Sequence, residues 1–349
     1  MEKTQIIENI KMHINNYFNE LEGEEKFSGV TLVSFEDEKI INKGYGMANY
    51  ELNIPNAPEM KYRVGSVTKQ FTAVIIMKLY EKGLLNLQDT LDKYISDYPN
   101  GDKVTIHHLL THTSGIFNST RIEGFSKSMR NNHSVEELIE EFKYLPYDFQ
   151  PGEKYSYSNS GYILLGYIIE KVSKKTYEEC LQEDIFNKYS MNGSGYDNHK
   201  KIINNRVSGY SFDEEQNQLI NCDFIDMSVP YAAGALYSTL DDLYTWNKKL
   251  IEGEVLSKDS LGKMLSNHVY TGNDYYGYGL FLDDVKLGGK TRKKVWHTGG
   301  IPGFLSCSKV FPRENIQIIM ITNITSECFS SAVNAIEKIV FDELHRNNL

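Results

Sequence analysis

The chain has 349 residues, 40% apolar and 24% charged, an ordinary globular composition with room for about two domain-sized blocks. A formal charge of -10 without a Lys/Arg-rich run argues against nucleic acid as a partner, and no apolar stretch reaches the roughly 18–20 residues that span a membrane. Four scattered cysteines, Cys180, Cys222, Cys307 and Cys328, include no C-x-x-C pair and read as free thiols.

In chain order, residues 1–26 form a charged amphipathic helix pattern with Ile6, Ile7, Ile10 and Ile14 among its apolar positions. They lack the apolar core and cleavage site of a signal peptide, so the expectation is a cytoplasmic protein, or an exported one if a leader was removed. Residues 27–35 and 40–46 read as strands joined by the turn Glu36-Asp37-Glu38-Lys39. Helical patterns follow at 70–80, 109–110, 135–145, 162–172 and 240–250, separated by Gly/Asn/Ser loops. Strands return at 276–282, 294–296, 305–311 and 316–322, before an amphipathic helix at 332–345. This order predicts an α+β fold with an antiparallel sheet built from both chain ends, flanked by helices, and an inserted all-α domain. The expected division is 1–62 with 275–349 for the sheet domain and 63–274 for the helical one, with the active site between them.

Three segments carry chemistry. In Ser66-Val67-Thr68-Lys69, Ser66 and Lys69 stack one above the other if the segment is helical. A hydroxyl needs a base within hydrogen-bond reach, and a lysine whose pKa is lowered by burial can be that base or support it. The apolar run from Gln70 to Tyr80, stopped by Gly83, places Ser66 at the mouth of a buried helix, where unpaired N–H groups favour developing negative charge.

The second segment is Tyr157-Ser158-Asn159, where alternate side chains of a loop can face one site; Tyr157 can act as a base if the charge of Lys69 lowers its pKa. The third is His297-Thr298-Gly299-Gly300, read as a glycine-dense turn after a strand. There the N–H of Gly300, with that of Ser66, would form a two-donor oxyanion hole. His107, His108 and His112 lack the Glu of H-E-x-x-H and any partner with ligand spacing, so no metal site and no cofactor are expected. There is no G-x-S-x-G, no P-loop and no G-x-G-x-x-G after a strand.

Ser66-x-x-Lys69, Tyr157-x-Asn159 and His297-Thr298-Gly299, in that order, resemble the three motifs of the penicillin-recognising serine hydrolases. The chain is most similar to their class C β-lactamase and D-Ala-D-Ala carboxypeptidase branch, which also includes esterases and D-aminopeptidases. The phrases LLTHTSGI, PGEKYSYSNSGYILLGYIIEKVS, AAGALYSTLDDLYTW and HTGGIPGF extend the likeness along nearly the whole chain. The resemblance implies Ser66 as the acylated nucleophile, Lys69 as its activating partner and Tyr157 as general base. It implies Asn159, His297, Thr298 and Gly299 as substrate-binding residues, with the Ser66 and Gly300 amides as the oxyanion hole.

His297 stands where β-lactamases of this branch carry Lys, and an imidazole anchors a carboxylate more weakly than a fixed ammonium. The expected activity is therefore that of a DD-peptidase, D-amino-acid peptidase or esterase on a small peptide, amide or ester. A class C-like β-lactamase and a non-catalytic penicillin-binding or peptide-sensing protein are the alternatives.

Overall fold

The central strands are short, largely apolar runs, and in the computed structural model, which describes residues 3–23, 27–213 and 215–347, both sheet faces are covered. Strands β1 (Gly29–Phe35) and β2 (Glu38–Tyr45) come from the N-terminal side. They join β3 (Val269–Tyr270), β4 (Tyr275–Tyr276), β5 (Phe281–Leu287), β6 (Lys290–Ile301), β7 (Phe304–Phe311) and β8 (Ile316–Thr322). The order is β3-β4-β5-β6-β7-β8-β1-β2, antiparallel throughout. Pairing of β1 with β8, from Gly29 opposite Thr322 to Phe35 opposite Ile316, joins the two chain ends as expected.

One face carries Val33 and Phe35 of β1 with Ile316, Ile318 and Met320 of β8. Helix α1 (Lys3–Gly23) lays Ile6, Ile7, Ile10, Ile14 and Phe18 against it, a spacing that keeps them on one side of a helix. The expected N-terminal helix is thus present over the described part, while residues 1–2 and 24–26 lie outside the described residues. The closing helix α6 (Cys328–Arg346) packs beside α1, with Asn9 Nδ2 donating to Glu343 Oε1 at 2.7 Å.

The opposite face, with Val30, Leu32, Ile319 and Ile321, is continuous with the apolar core of the central segment. That segment contains α2 (Thr68–Glu81), α3 (Val135–Lys143), α4 (Asn159–Ser173) and α5 (Leu240–Ile251). Helix α3 opens with a capping box in which Ser134 and Glu137 satisfy each other's backbone N–H. A short sheet pairs Tyr62–Arg63 with Leu236–Ser238, which also pairs with Gly195–Tyr196, so the central segment is not purely helical. Phe71 of α2 stacks on Trp246 of α5 at 4.3 Å, holding these two helices together beneath the sheet.

Two elements depart from expectation in ways that shape the site. Helix α4 starts at Asn159 rather than 162, which puts Asn159 in its first turn. β6 runs through His297, Thr298, Gly299 and Gly300, so the glycine-dense segment is strand and the turn falls beyond it, at Gly303 with φ 80°. Glycine usually weakens a strand, and here it is required by close approach: a Cβ on Gly299 would lie 2.0 Å from the Val64 carbonyl oxygen.

Candidate active site

Ser66 lies in the 3₁₀ turn Gly65–Val67 that leads directly into α2. Gly65 has φ 50°, a left-handed conformation open to glycine, and its Cα faces the Gly300 backbone so closely that a Cβ would reach 2.9 Å from Gly300 N. Ser306 Oγ donates to Val64 O at 2.7 Å, fastening the same turn to β7. The nucleophile candidate and both expected oxyanion amides are thus registered by contacts between one turn and the edge of one strand. We predict that Gly299→Ala, which must push this strand away from Val64, lowers kcat by about 10²-fold through misplacement. Overpacking should also lower stability by about 1–3 kcal/mol. Steady-state kinetics and urea unfolding check both, and wild-type kcat would show that this registration does not matter.

Lys69 is fully buried, and its Nζ has three partners: Ser66 Oγ at 3.0 Å, Asn159 Oδ1 at 2.8 Å and Ala233 O at 2.8 Å. Burial holds its pKa well below the usual lysine value. The partner set fits a neutral amine. Asn159 Oδ1 and Ala233 O are obligate acceptors for its two N–H groups, and its lone pair is left facing a hydroxyl that can donate.

The loop bearing Ala233 is held by the same helix. Thr72 Oγ1 donates to Ala232 O at 2.6 Å and Leu236 N donates to Thr68 Oγ1 at 3.2 Å. Residues 68, 69 and 72 therefore grip the AAGAL segment from one helix face.

Tyr157 is partly buried, with the Lys69 Nζ 4.7 Å from its ring centroid. Burial pushes its phenol above the ordinary tyrosine value, opposed in part by a hydrogen bond with Ser66. The expectation of a lowered Tyr157 pKa is thus not met: burial outweighs every group that favours the phenolate.

His297 is 1% exposed, and burial first, then Lys69, push its pKa down to about 3. Its Nδ1 lies 2.5 Å from Thr298 O and its Nε2 lies 3.1 Å from the Tyr276 hydroxyl. The carbonyl can only accept, so Nδ1 carries the proton and Nε2 accepts from Tyr276. Both nitrogens are engaged, and a pH 6–7 imidazole switch at this position is not supported. At the site end of β6, Thr298 and Gly300 are exposed, while His297 and Gly299 are buried.

His112, which the sequence offers only as a possible metal ligand, grips the backbone on both sides of Tyr157. Its carbonyl accepts from Ser156 N at 2.9 Å and its Nδ1 from Ser158 N at 3.1 Å. Its ring lies 4.3 Å from that of Tyr157 and 4.8 Å from that of Tyr276. Asn118 was missed as well: its Oδ1 accepts from Asn159 N at 3.0 Å, satisfying a free N–H at the start of α4. The phrase LLTHTSGI was the available signal for His112, but nothing local in it says which face of the histidine is used.

A cavity of about 200 Å³ opens at Ser66, Asn159 and Gly300. No group of three or more His, Cys, Asp or Glu side chains among the described residues is arranged to hold a metal ion.

The family profile described as Beta-lactamase matches residues 14–339. The chain belongs to the beta-lactamase family. The PbpX protein of Bacillus subtilis (strain 168) is 30% identical to this family member over 321 residues, covering 92% of this chain and 76% of that protein. The crystal structure of a penicillin binding protein from Bacillus halodurans superposes with a TM-score of 0.79 at 29% identity, covering 91% of this chain and 97% of the other. D-amino acid amidase from Ochrobactrum anthropi SV3, complexed with D-phenylalanine, gives a TM-score of 0.82 over 99% and 100% of the two chains. At 22% identity it speaks for the fold alone. No helix among the described residues is long and apolar enough to cross a membrane.

Proposed function

We propose that this protein is a serine hydrolase that forms an acyl-enzyme on Ser66, acting as a DD-peptidase, D-amino-acid peptidase or esterase. The observation that carries the reading is the buried Lys69 Nζ, its pKa pushed down, within hydrogen-bond reach of the Ser66 hydroxyl and held by Asn159 Oδ1 and Ala233 O. As Ser66 Oγ attacks the substrate carbonyl carbon, its proton passes to the Lys69 lone pair. The carbonyl oxygen gains negative charge facing the N–H groups of Ser66 and Gly300. Collapse breaks the bond to the leaving nitrogen or oxygen, which takes a proton relayed from Lys69 through the Tyr157 hydroxyl. Water then attacks the acyl-enzyme, returns its proton along the same path and restores the Ser66 hydroxyl. Asn159 holds Lys69 through Oδ1, leaving its NH₂ for the substrate, and exposed Thr298 lines up the substrate along β6 while buried Gly299 backs onto the Ser66 turn.

With Tyr157 raised and Lys69 lowered, the first proton acceptor becomes Lys69, and Tyr157 becomes the relay to the leaving group. His297, with both nitrogens engaged, acts by supporting Tyr276 and the strand beside the oxyanion hole. Tyr157→Phe should then lower turnover of amides, whose leaving group must be protonated, by about 10²-fold or more. p-Nitrophenyl esters, with a stable anionic leaving group, should suffer less. Equal losses on both would return Tyr157 to the role of first base.

Penicillin is expected to acylate Ser66 and leave slowly, a reading favoured by the Bacillus halodurans relative's description as a penicillin binding protein. Intact mass after exposure to a fluorophosphonate and to penicillin tests the whole reading. One adduct that disappears in Ser66→Ala supports it. No adduct together with no ester turnover would favour the sensing protein instead.

A further inference from the structure

The cavity beside Ser66 is charge-free. Its apolar lining includes Phe125, Met129, Ile163, Ile225, Val229 and Ile301, and Ser119 and Thr120 are its hydroxyl-bearing residues apart from Ser66. No Asp, Glu, Lys, Arg or His lines it. Ile163 lies one helical turn beyond Asn159 on α4, so the helix that presents a polar group to the reacting centre presents an apolar one to the cavity. The basic residues nearest along the chain are engaged at the surface, Arg121 with Asp148 and Arg130 with Asp223. Lys69, the amine next to the nucleophile, is engaged by Ser66, Asn159 and Ala233 and is not part of the lining. A dry apolar cavity of about 150 Å³ admits benzene, so about 200 Å³ has room for one phenyl ring and its methylene.

We infer that this cavity binds a single uncharged, benzyl-sized group on the acyl side of the substrate, and excludes acyl groups that place a carboxylate or an ammonium there. This rests on the acyl-enzyme reading of Ser66. A charge carried into this wall finds no counter-ion and loses its water, whereas an apolar ring loses only hydration it did not favour. The inference separates acyl donors whose amine is free and buried from those whose acyl part is neutral throughout.

The test compares four p-nitrophenyl esters: acetate, phenylacetate, and phenylacetate carrying a para-carboxylate or a para-aminomethyl group. Nitrophenol release gives kcat/KM, and intact mass reports the adduct. Phenylacetate should exceed acetate, and should exceed both charged rings, by about tenfold or more in each case. Val229→Phe should collapse the preference for phenylacetate over acetate by shrinking the cavity. Val229→Asp should shift the charged pair toward the aminomethyl ester. If Val229→Asp does not fold, the wild-type series and Val229→Phe decide. Adducts forming at equal rates with charged and neutral rings would overturn the cavity inference while leaving Ser66 as nucleophile. No adduct with any of the four would overturn both.

Discussion

Ser66→Ala is expected to remove turnover of every ester and amide by on the order of 10⁴–10⁶-fold while leaving the fold unchanged. The size of the loss follows from the unit in which Ser66 acts. Its hydroxyl is the only partner of Lys69 Nζ that can donate a proton, and Ala removes that donor together with the attacking atom. Little else changes. The turn is held by backbone and by Ser306 Oγ on Val64 O, and Gly299 and Gly65 still allow the strand to approach. Melting temperature and circular dichroism should match the parent protein. Hydrolysis of p-nitrophenyl phenylacetate by Ser66→Ala at more than a few per cent of the parental rate would end the acyl-enzyme assignment.

The second large effect is at Lys69. Lys69→Arg should lose nearly as much activity as Ser66→Ala, and Ser66→Ala/Lys69→Arg should be no worse than either alone. An arginine keeps the charge but never gives up its proton, so it cannot accept one from Ser66. Substantial activity in Lys69→Arg would mean that the site needs a cation there, and would return Tyr157 to the role of base. Because a guanidinium is larger than the buried amine it replaces, the pH profile of the unaltered enzyme supplies an independent reading.

Lys69 must be neutral to act, so kcat/KM should rise as pH climbs through its depressed pKa and then stay level. Tyr157, pushed upward, should cause no fall below about pH 10, the ordinary tyrosine value. His297, with a pKa of about 3, is already neutral at pH 5 and should add no inflection between pH 6 and 7. An inflection in that window that vanishes in His297→Gln would contradict the engaged, neutral histidine described above.

Much of this was legible in the letters. The spacing of Ser66 and Lys69 is a property of one helical turn and needs no partner to be recognised. The short apolar runs at 27–35 and 316–322, and the isoleucine spacing of α1, point to buried strands from both chain ends and a helix over them, and so to the α+β class. The pairing of β1 with β8 itself joins residues almost 300 positions apart, for example Gly29 and Thr322, and only the packed sheet sets its register.

What only the tertiary structure decided is the direction in which each pKa of the site is pushed and which partners each polar group meets. The Lys69 pKa is pushed down because the packed helices, α4 and the AAGAL loop remove its water, while two acceptors come from residues 90 and 164 positions away. His297 is closed off by Tyr276 and its own strand, and His112 becomes a clamp on Tyr157 because the loop at 156–158 folds across it. The glycines at 299 and 300 look like a turn in one dimension. They are strand because the Ser66 turn is pressed against them. Side-chain type and local spacing are written in the sequence, whereas desolvation and long-range hydrogen bonds belong to the packed chain, and it is those that set pKa values.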